Sequence, residues 1–222
     1  MTKVYPFSDY SPDNDEGYRN KSVFKLKAKD INKNLFQDDA AFDWMYPDVL
    51  QQMSQKHWTT LSIARKAATY LAVEGTRVLD IGSGIGKFCL AAGYHFPDTR
   101  FYGVEQRREL VYFAEEARKY TELPNVSFIH SNITQINFKE FDHFYFYNSF
   151  YENLDPDNSI DDTITTSHSL YLYYTQYLFN ALDEKPPGTR LVTFHSLENE
   201  IPPGYKLADV AEFSLLKMWI KK

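Results

Sequence analysis

Val78-Leu79-Asp80-Ile81-Gly82-Ser83-Gly84-Ile85-Gly86-Lys87 runs from a short apolar stretch through three glycines into a helical pattern. Glycines at such a junction let the chain turn tightly and let a ligand approach the main chain closely. A phosphate-binding P-loop is excluded, because Ile81 stands where its first glycine belongs and Phe88 where its Ser or Thr belongs. A dinucleotide loop needs glycine at position 87, where the chain has lysine, so the spacing is G-x-G-x-G rather than G-x-G-x-x-G. Asp80, two residues before the first glycine, adds a carboxylate that a nearby diphosphate would repel.

Outward from this loop the sequence alternates strands and helices. Leu61, Ala64, Ala67, Ala68 and Leu71 recur at helical spacing within a helical region from 35 to 73, which Thr59 or Thr60 could cap and Gly75 could end. The first strand is Arg77 to Ile81, followed by a helix over 86–96. Further strands fall at Phe101 to Glu105, Val126 to His130 and His143 to Asn148, with a helix over 107–120 between the first two. A long helix from Asp162 to Leu182 precedes a strand over Arg190 to Ser196, and the tail from Glu212 forms a last, antiparallel strand near an edge. The stretch His143 to Asn148 is apolar on both faces, as expected of an interior parallel strand. Repeated βα units predict an α/β fold: a Rossmann-like, doubly wound, seven-stranded, mostly parallel sheet with a helical N-terminal extension. The expected division is an arm and helical cap over 1–58 and a catalytic domain over 59–222.

The composition fits such a fold. The 222 residues are 43% hydrophobic and 17% aromatic, too apolar for disorder. A net charge of -6 argues against a basic surface for nucleic acid, although Lys21, Lys25, Lys27, Lys29 and Lys33 make the N-terminal arm locally basic. Cys89 is the sole cysteine, which removes intrachain disulfides and cysteine-rich zinc sites, and no metal is expected. The N-terminus has no apolar signal core and no later run is long enough to span a bilayer, so the expectation is a cytoplasmic protein without a membrane partner.

Asp80 favours a cationic, phosphate-free adenosyl ligand, and S-adenosylmethionine is such a compound. Glu105 ends the second strand, where a carboxylate can accept both ribose hydroxyl protons. NAD would use the same residue. At the end of the third strand Asn132 is expected to hydrogen-bond adenine and Ile133 to pack on it, with a turn-forming role for Asn132 equally open.

These residues, together with Ser131 and Asn148-Ser149-Phe150, resemble the class I S-adenosylmethionine-dependent methyltransferases over residues 59 to 220. Within that superfamily GSGIGK, GVEQ and the Asn-x-Phe segment are similar to the non-SET histone lysine methyltransferases and to uncharacterised bacterial proteins with His-Trp-Thr before the first strand. The resemblance implies S-adenosylmethionine as cofactor. It implies cofactor contacts by Asp80, Gly82, Ser83, Gly84, Gly86, Lys87, Glu105, Gln106, Asn132, Ile133 and Asn148, and by Thr59 in a lid formed by His57 to Thr60.

Methyl transfer from a sulfonium is an in-line displacement, in which orientation alone can supply ~7–11 kcal/mol. Asn148 could orient an acceptor amine, with Phe150 and Tyr151 as one wall of its pocket. The loop Glu152 to Asp162 carries Glu152, Asp155, Asp157, Asp161 and Asp162 without a basic residue. It reads as a solvated loop capping the next helix, or as an attractor for a cationic acceptor. The histidines read as satisfied structural residues. The expected activity is methyl transfer to an amine of a protein lysine or small molecule. The rivals are a cofactor-binding protein without transferase activity and a nucleic-acid amine methyltransferase.

Overall fold

The computed structural model describes residues 35–222 except Pro156 and Asn158. The expected irregular, lysine-bearing arm lies outside the described residues. Three helices come first: α1 (Asp39–Asp43), α2 (Asp48–His57) and α3 (Leu61–Leu71). The Thr60 side chain accepts from Ile63 N at 3.4 Å and starts α3, and Leu61, Ala64, Ala67, Ala68 and Leu71 are all buried. This helix stops at Ala72, before the expected Gly75, which sits in the following turn at φ +76°.

The remaining elements are β1 (Arg77–Ile81), α4 (Lys87–His95), β2 (Arg100–Glu105), α5 (Arg108–Thr121), β3 (Val126–His130), β4 (His143–Tyr147), α6 (His168–Asp183), β5 (Arg190–Phe194), β6 (Tyr205–Ala211) and β7 (Leu216–Lys221). They form a 7-stranded sheet in the order β3-β2-β1-β4-β5-β7-β6. Strands β1 to β5 pair in parallel, and β7 runs antiparallel to both β5 and β6. From β1 the chain winds outward to β2 and β3, then returns to β4 on the other side. That reversal opens a crevice beyond the carboxyl ends of β1 and β4, the position at which ligands bind in open α/β sheets.

Two apolar clusters cover the sheet, as period-two alternation dictates. Val78, Phe101 and Tyr145 face one side with Phe88 and Leu71, while Leu79, Phe144 and Phe146 face the other with Leu178 and Leu182. Each such side chain, fully buried, stabilises the fold by about 1.5–3 kcal/mol. Phe42 and Leu50 of the first helices join the cluster that holds Phe88.

Two expectations need correcting. Edge strand β6 was not foreseen as a strand, because five successive residues, Lys206 to Val210, are exposed and leave no apolar alternation. Helix α6 begins at His168 rather than Asp162, because Ser167 supplies the cap, its side chain accepting from Leu170 N at 3.2 Å.

Candidate cofactor and active site

The loop after β1 is built by main-chain hydrogen bonds to its neighbour. Gly82 N and Ser83 N both donate to Val104 O of β2, at 2.9 and 3.0 Å, and Gly86 N donates to Ser83 O at 2.8 Å. Gly84 has φ +53°, and a Cβ there would lie 2.5 Å from the Trp58 ring. The residue therefore has to be glycine for Trp58 to close over the loop. At Gly86, φ is +83° and a Cβ would meet Phe128 at 2.3 Å. Gly86 faces β3 and α5 and does not line the cleft, which corrects its expected place among the cofactor contacts.

The first helices close the site from above. Tyr46 OH donates to Ile85 O at 3.0 Å, and Trp58 Nε1 donates to Leu50 O at 3.3 Å. Lys87 Nζ is ion-paired with Asp39 at 2.7 Å and Asp43 at 2.6 Å, and donates to Ser54 Oγ at 3.0 Å. Its ammonium is thus committed to the helical cap, contrary to its expected role at a ligand. Thr59 Oγ1 lies 2.9 Å from Tyr145 OH, and Tyr145 stacks on Phe88 with centroids 4.0 Å apart.

Beneath this cap lies a cleft of about 540 Å³, at the reversal of strand order. The size suits a small-molecule cofactor. Thr59, Asp80, Gly82, Ser83, Gly84, Lys87, Glu105, Gln106, Asn132, Ile133, Asn148, Phe150 and Tyr151 all line it. The side-chain oxygen of Ser83 is buried without a partner among the described residues.

Two buried carboxyls dominate the cleft. Asp80 is 4% exposed, and its described hydrogen bond comes from the Cys89 thiol at 3.7 Å. Burial pushes its pKa up to about 8; the thiol opposes the rise and the Glu105 charge adds to it. Among the described residues no cation is ion-paired with it. Glu105 is raised as well by burial, but its oxygens accept from Arg107 N at 2.8 Å and Gly84 N at 3.2 Å, which stabilise its charge.

At the third strand's end the Asn132 side chain is fully engaged. Its amide donates to Tyr174 OH at 2.8 Å and Gln106 Oε1 at 3.2 Å, while Oδ1 accepts from Thr134 N and Thr134 Oγ1 at 3.0 and 2.9 Å. It forms the turn and has no side-chain valence left for adenine, correcting that expectation. Ile133 is 7% exposed and remains an apolar wall.

On the far side Asn148 directly follows β4 at φ +39°, and its side-chain amide makes no hydrogen bond among the described residues. Phe150 is buried against Phe146 and Tyr174, at centroid distances of 5.0 and 5.5 Å, while Tyr151 is 50% exposed. His195, directly after the β5 residue that registers with Tyr147, has φ +58°. Such backbone conformations are costly for non-glycine residues and cluster at functional positions. The His195 and His57 side chains line the cleft, and neither imidazole makes a hydrogen bond among the described residues, so neither is the satisfied structural histidine expected. Burial lowers both, His57 to about 4 with help from Lys56 and Arg107. His143, by contrast, is structural: its Nδ1 accepts from Arg190 N at 3.1 Å.

A family model described as a methyltransferase domain matches residues 72–175, the span from the end of α3 into α6 that contains both carboxyls and Asn148. That segment of the chain is similar to a methyltransferase domain. The fold is similar to that of TrmN from Thermus thermophilus, with a TM-score of 0.55 at 21% identity, over 76% of this chain and 50% of that one. Among curated proteins it is 40% identical over 55 residues to a tRNA (guanine-N(7)-)-methyltransferase of Prochlorococcus marinus, covering 25% of this chain and 26% of that protein. It is 34% identical over 70 residues to a release factor glutamine methyltransferase of Buchnera aphidicola, covering 31% of this chain and 25% of that protein. The matched segments span about a quarter of those relatives' length. Among the described residues no helix is long and apolar enough to cross a membrane.

Sequence reasoning missed Arg107, whose side chain is only 3% exposed at the cleft. It binds Glu152 through its terminal nitrogens Nη1 and Nη2 at 3.1 and 2.7 Å and Asp161 through Nε at 3.0 Å. Two acids of the loop read as solvated are therefore internal ion-pair partners. A run of acids with no basic residue among them was the signal in the sequence that a cation could come from elsewhere in the chain.

Proposed function

We propose that the cleft binds S-adenosylmethionine and that the protein transfers its methyl group to a nitrogen acceptor presented beside Asn148. The observation that carries this reading is the buried Asp80 carboxyl without an ion-pair partner beside Glu105 at the switch point: a cationic ligand relieves the burial of Asp80, and an anionic one aggravates it. Each Glu105 oxygen accepts one main-chain N–H and keeps a lone pair for a ribose hydroxyl. The bound cofactor supplies an electrophilic methyl group on a sulfonium. The free amide of Asn148 orients the acceptor N–H, Phe150 and Tyr151 form its wall, and Trp58 and Thr59 exclude water from above. For an acceptor that carries an N–H, His195, held below its ordinary value by burial, takes up the proton the nitrogen loses, whereas a bare ring nitrogen such as guanine N7 has none to give and becomes cationic instead. The helices Asp39–Asp43 and Asp48–His57 act in this reading as a cap on the domain 59–222.

A protein lysine or small-molecule amine is one acceptor class. A nucleic-acid amine or ring nitrogen is the second, and relatives named for tRNA guanine methylation favour it against the net charge of -6. The relatives' names span a tRNA base and a release-factor glutamine, so the short shared segment does not select the acceptor. Transfer of a radiolabelled methyl group into host lysate, followed by protease, nuclease or small-molecule filtration, names the class by which treatment removes the counts. Absence of transfer into every fraction, with cofactor binding intact, would replace the enzyme by a cofactor-binding protein.

A further inference from the structure

Arg107 sits between the two halves of the site. Its main-chain N–H is bound by Glu105 Oε1 at 2.8 Å, the carboxylate assigned to the ribose. Its guanidinium grips Glu152 bidentately and Asp161 through Nε, and the Glu152 and Asp161 side chains are only 11% and 8% exposed. Glu152 lies in the short turn Tyr151–Asn153, directly after the Asn148 to Phe150 wall. Asp161 Oδ1 also accepts from Thr163 N at 3.1 Å, and Asn153 Oδ1 accepts from Ser167 N, the cap of α6. Glu152 and Asp161, near the two ends of the acceptor-side loop, are thus held by one cation, whose backbone is fixed by the cofactor-side carboxylate.

The geometry points to Arg107 as a positioning residue that couples cofactor binding at Glu105 to the order of the acceptor loop 151–162. Planar, bidentate recognition makes arginine specific for this task, and lysine can replace its charge but not its fork. Because coupling is reciprocal, ordering the loop strengthens cofactor binding by the same factor by which cofactor binding orders the loop. The inference rests on the cofactor reading above and goes beyond it in making the loop part of cofactor affinity. It also gives the acids a use other than attracting a cationic acceptor, since Glu152 and Asp161 are already neutralised.

The test uses S-adenosylhomocysteine as probe and the full chain in four forms: wild type, Glu152→Gln, Arg107→Lys and Arg107→Met. Calorimetry reads affinity, and thermolysin cleavage between residues 152 and 162 reads loop order. Glu152→Gln removes one arm and leaves the Asp161 pair to hold the fold. It is expected to lose at least fivefold in affinity and to be cut faster, with ligand protection of the loop reduced by a similar factor. Arg107→Met is expected to lose more, and Arg107→Lys to recover part. A purely structural role would speed cleavage and leave affinity unchanged, and that result overturns the coupling. Failure of the wild type to bind the probe overturns the cofactor reading itself, and the coupling with it.

Discussion

Asp80→Asn distinguishes a cleft built for a cation from one that is merely acidic. In the free protein the Asp80 carboxyl is pushed up to about 8, chiefly by burial. Such a group is ionised about 1% of the time at pH 6 and about 9% at pH 7, so a ligand that requires the carboxylate gains roughly ninefold in affinity across that unit, about 1.3 kcal/mol. The interval lies below the ~7.7–8.0 at which an α-ammonium titrates, so the ligand's charge stays nearly constant. Calorimetric titration of the wild type with S-adenosylmethionine between pH 6 and 7 should show that rise and release about one proton per ligand bound, read from buffers of different ionisation heat. The amide introduced by Asp80→Asn keeps the shape without the charge, so the variant should bind weakly with a flat profile. Stability moves the other way. The folded pKa of about 8 lies above the ordinary 3.8, so the stability linked to Asp80 is complete below the lower value and lost as pH rises toward the upper one. At pH 7 that loss is on the order of 4 kcal/mol, and the amide variant should recover a sizeable part of it in denaturant unfolding. A variant that keeps the wild-type slope, or a wild type with no slope, refutes the reasoning.

Glu105→Ala should remove two charge-assisted hydrogen bonds and weaken S-adenosylmethionine binding about 10²-fold, roughly 3 kcal/mol; unchanged calorimetric affinity would discard the ribose contact. Lys87→Met leaves Asp43 largely buried without its cation, and should cost about 3 kcal/mol or more in denaturant unfolding. A small loss there would mean that the cap is held by apolar packing alone. For His195→Asn the expectation is slower methyl transfer with cofactor affinity unchanged. The acid limb of the wild-type pH–rate profile, which burial places below 6.5, should vanish; its persistence would assign the proton elsewhere.

The part of the fold legible in the sequence was the part in which local pattern and tertiary role agree. The run Arg77–Ile81 reads as a strand and is one, because apolar residues on both faces leave no other element of that length. The glycine loop and the alternating elements after it are similarly local. Edge strand β6 was illegible because an edge exposes its residues and erases the alternation that marks a strand. The acid loop was misread for a different reason. Arg107 lies 45 residues from Glu152 and 54 from Asp161, and no periodicity carries information over such distances. Asn132 and Lys87 stand where a cofactor contact belongs, but their hydrogen-bonding capacity is used by Thr134, Gln106 and Tyr174 in one case and by the helical cap in the other. Residue type and spacing locate a side chain near a ligand. Whether its polar atoms are free depends on partners that only the folded chain reveals.

The central claim is that the crevice between β1 and β4 receives a positively charged adenosyl ligand through Glu105 and Asp80. The most direct test is a crystal of the full chain grown with S-adenosylmethionine and NADH together. The predicted result is the sulfonium compound in the crevice, with its ribose hydroxyls on Glu105 and its charged end toward Asp80. NADH in that crevice, or the sulfonium compound bound elsewhere, would contradict it.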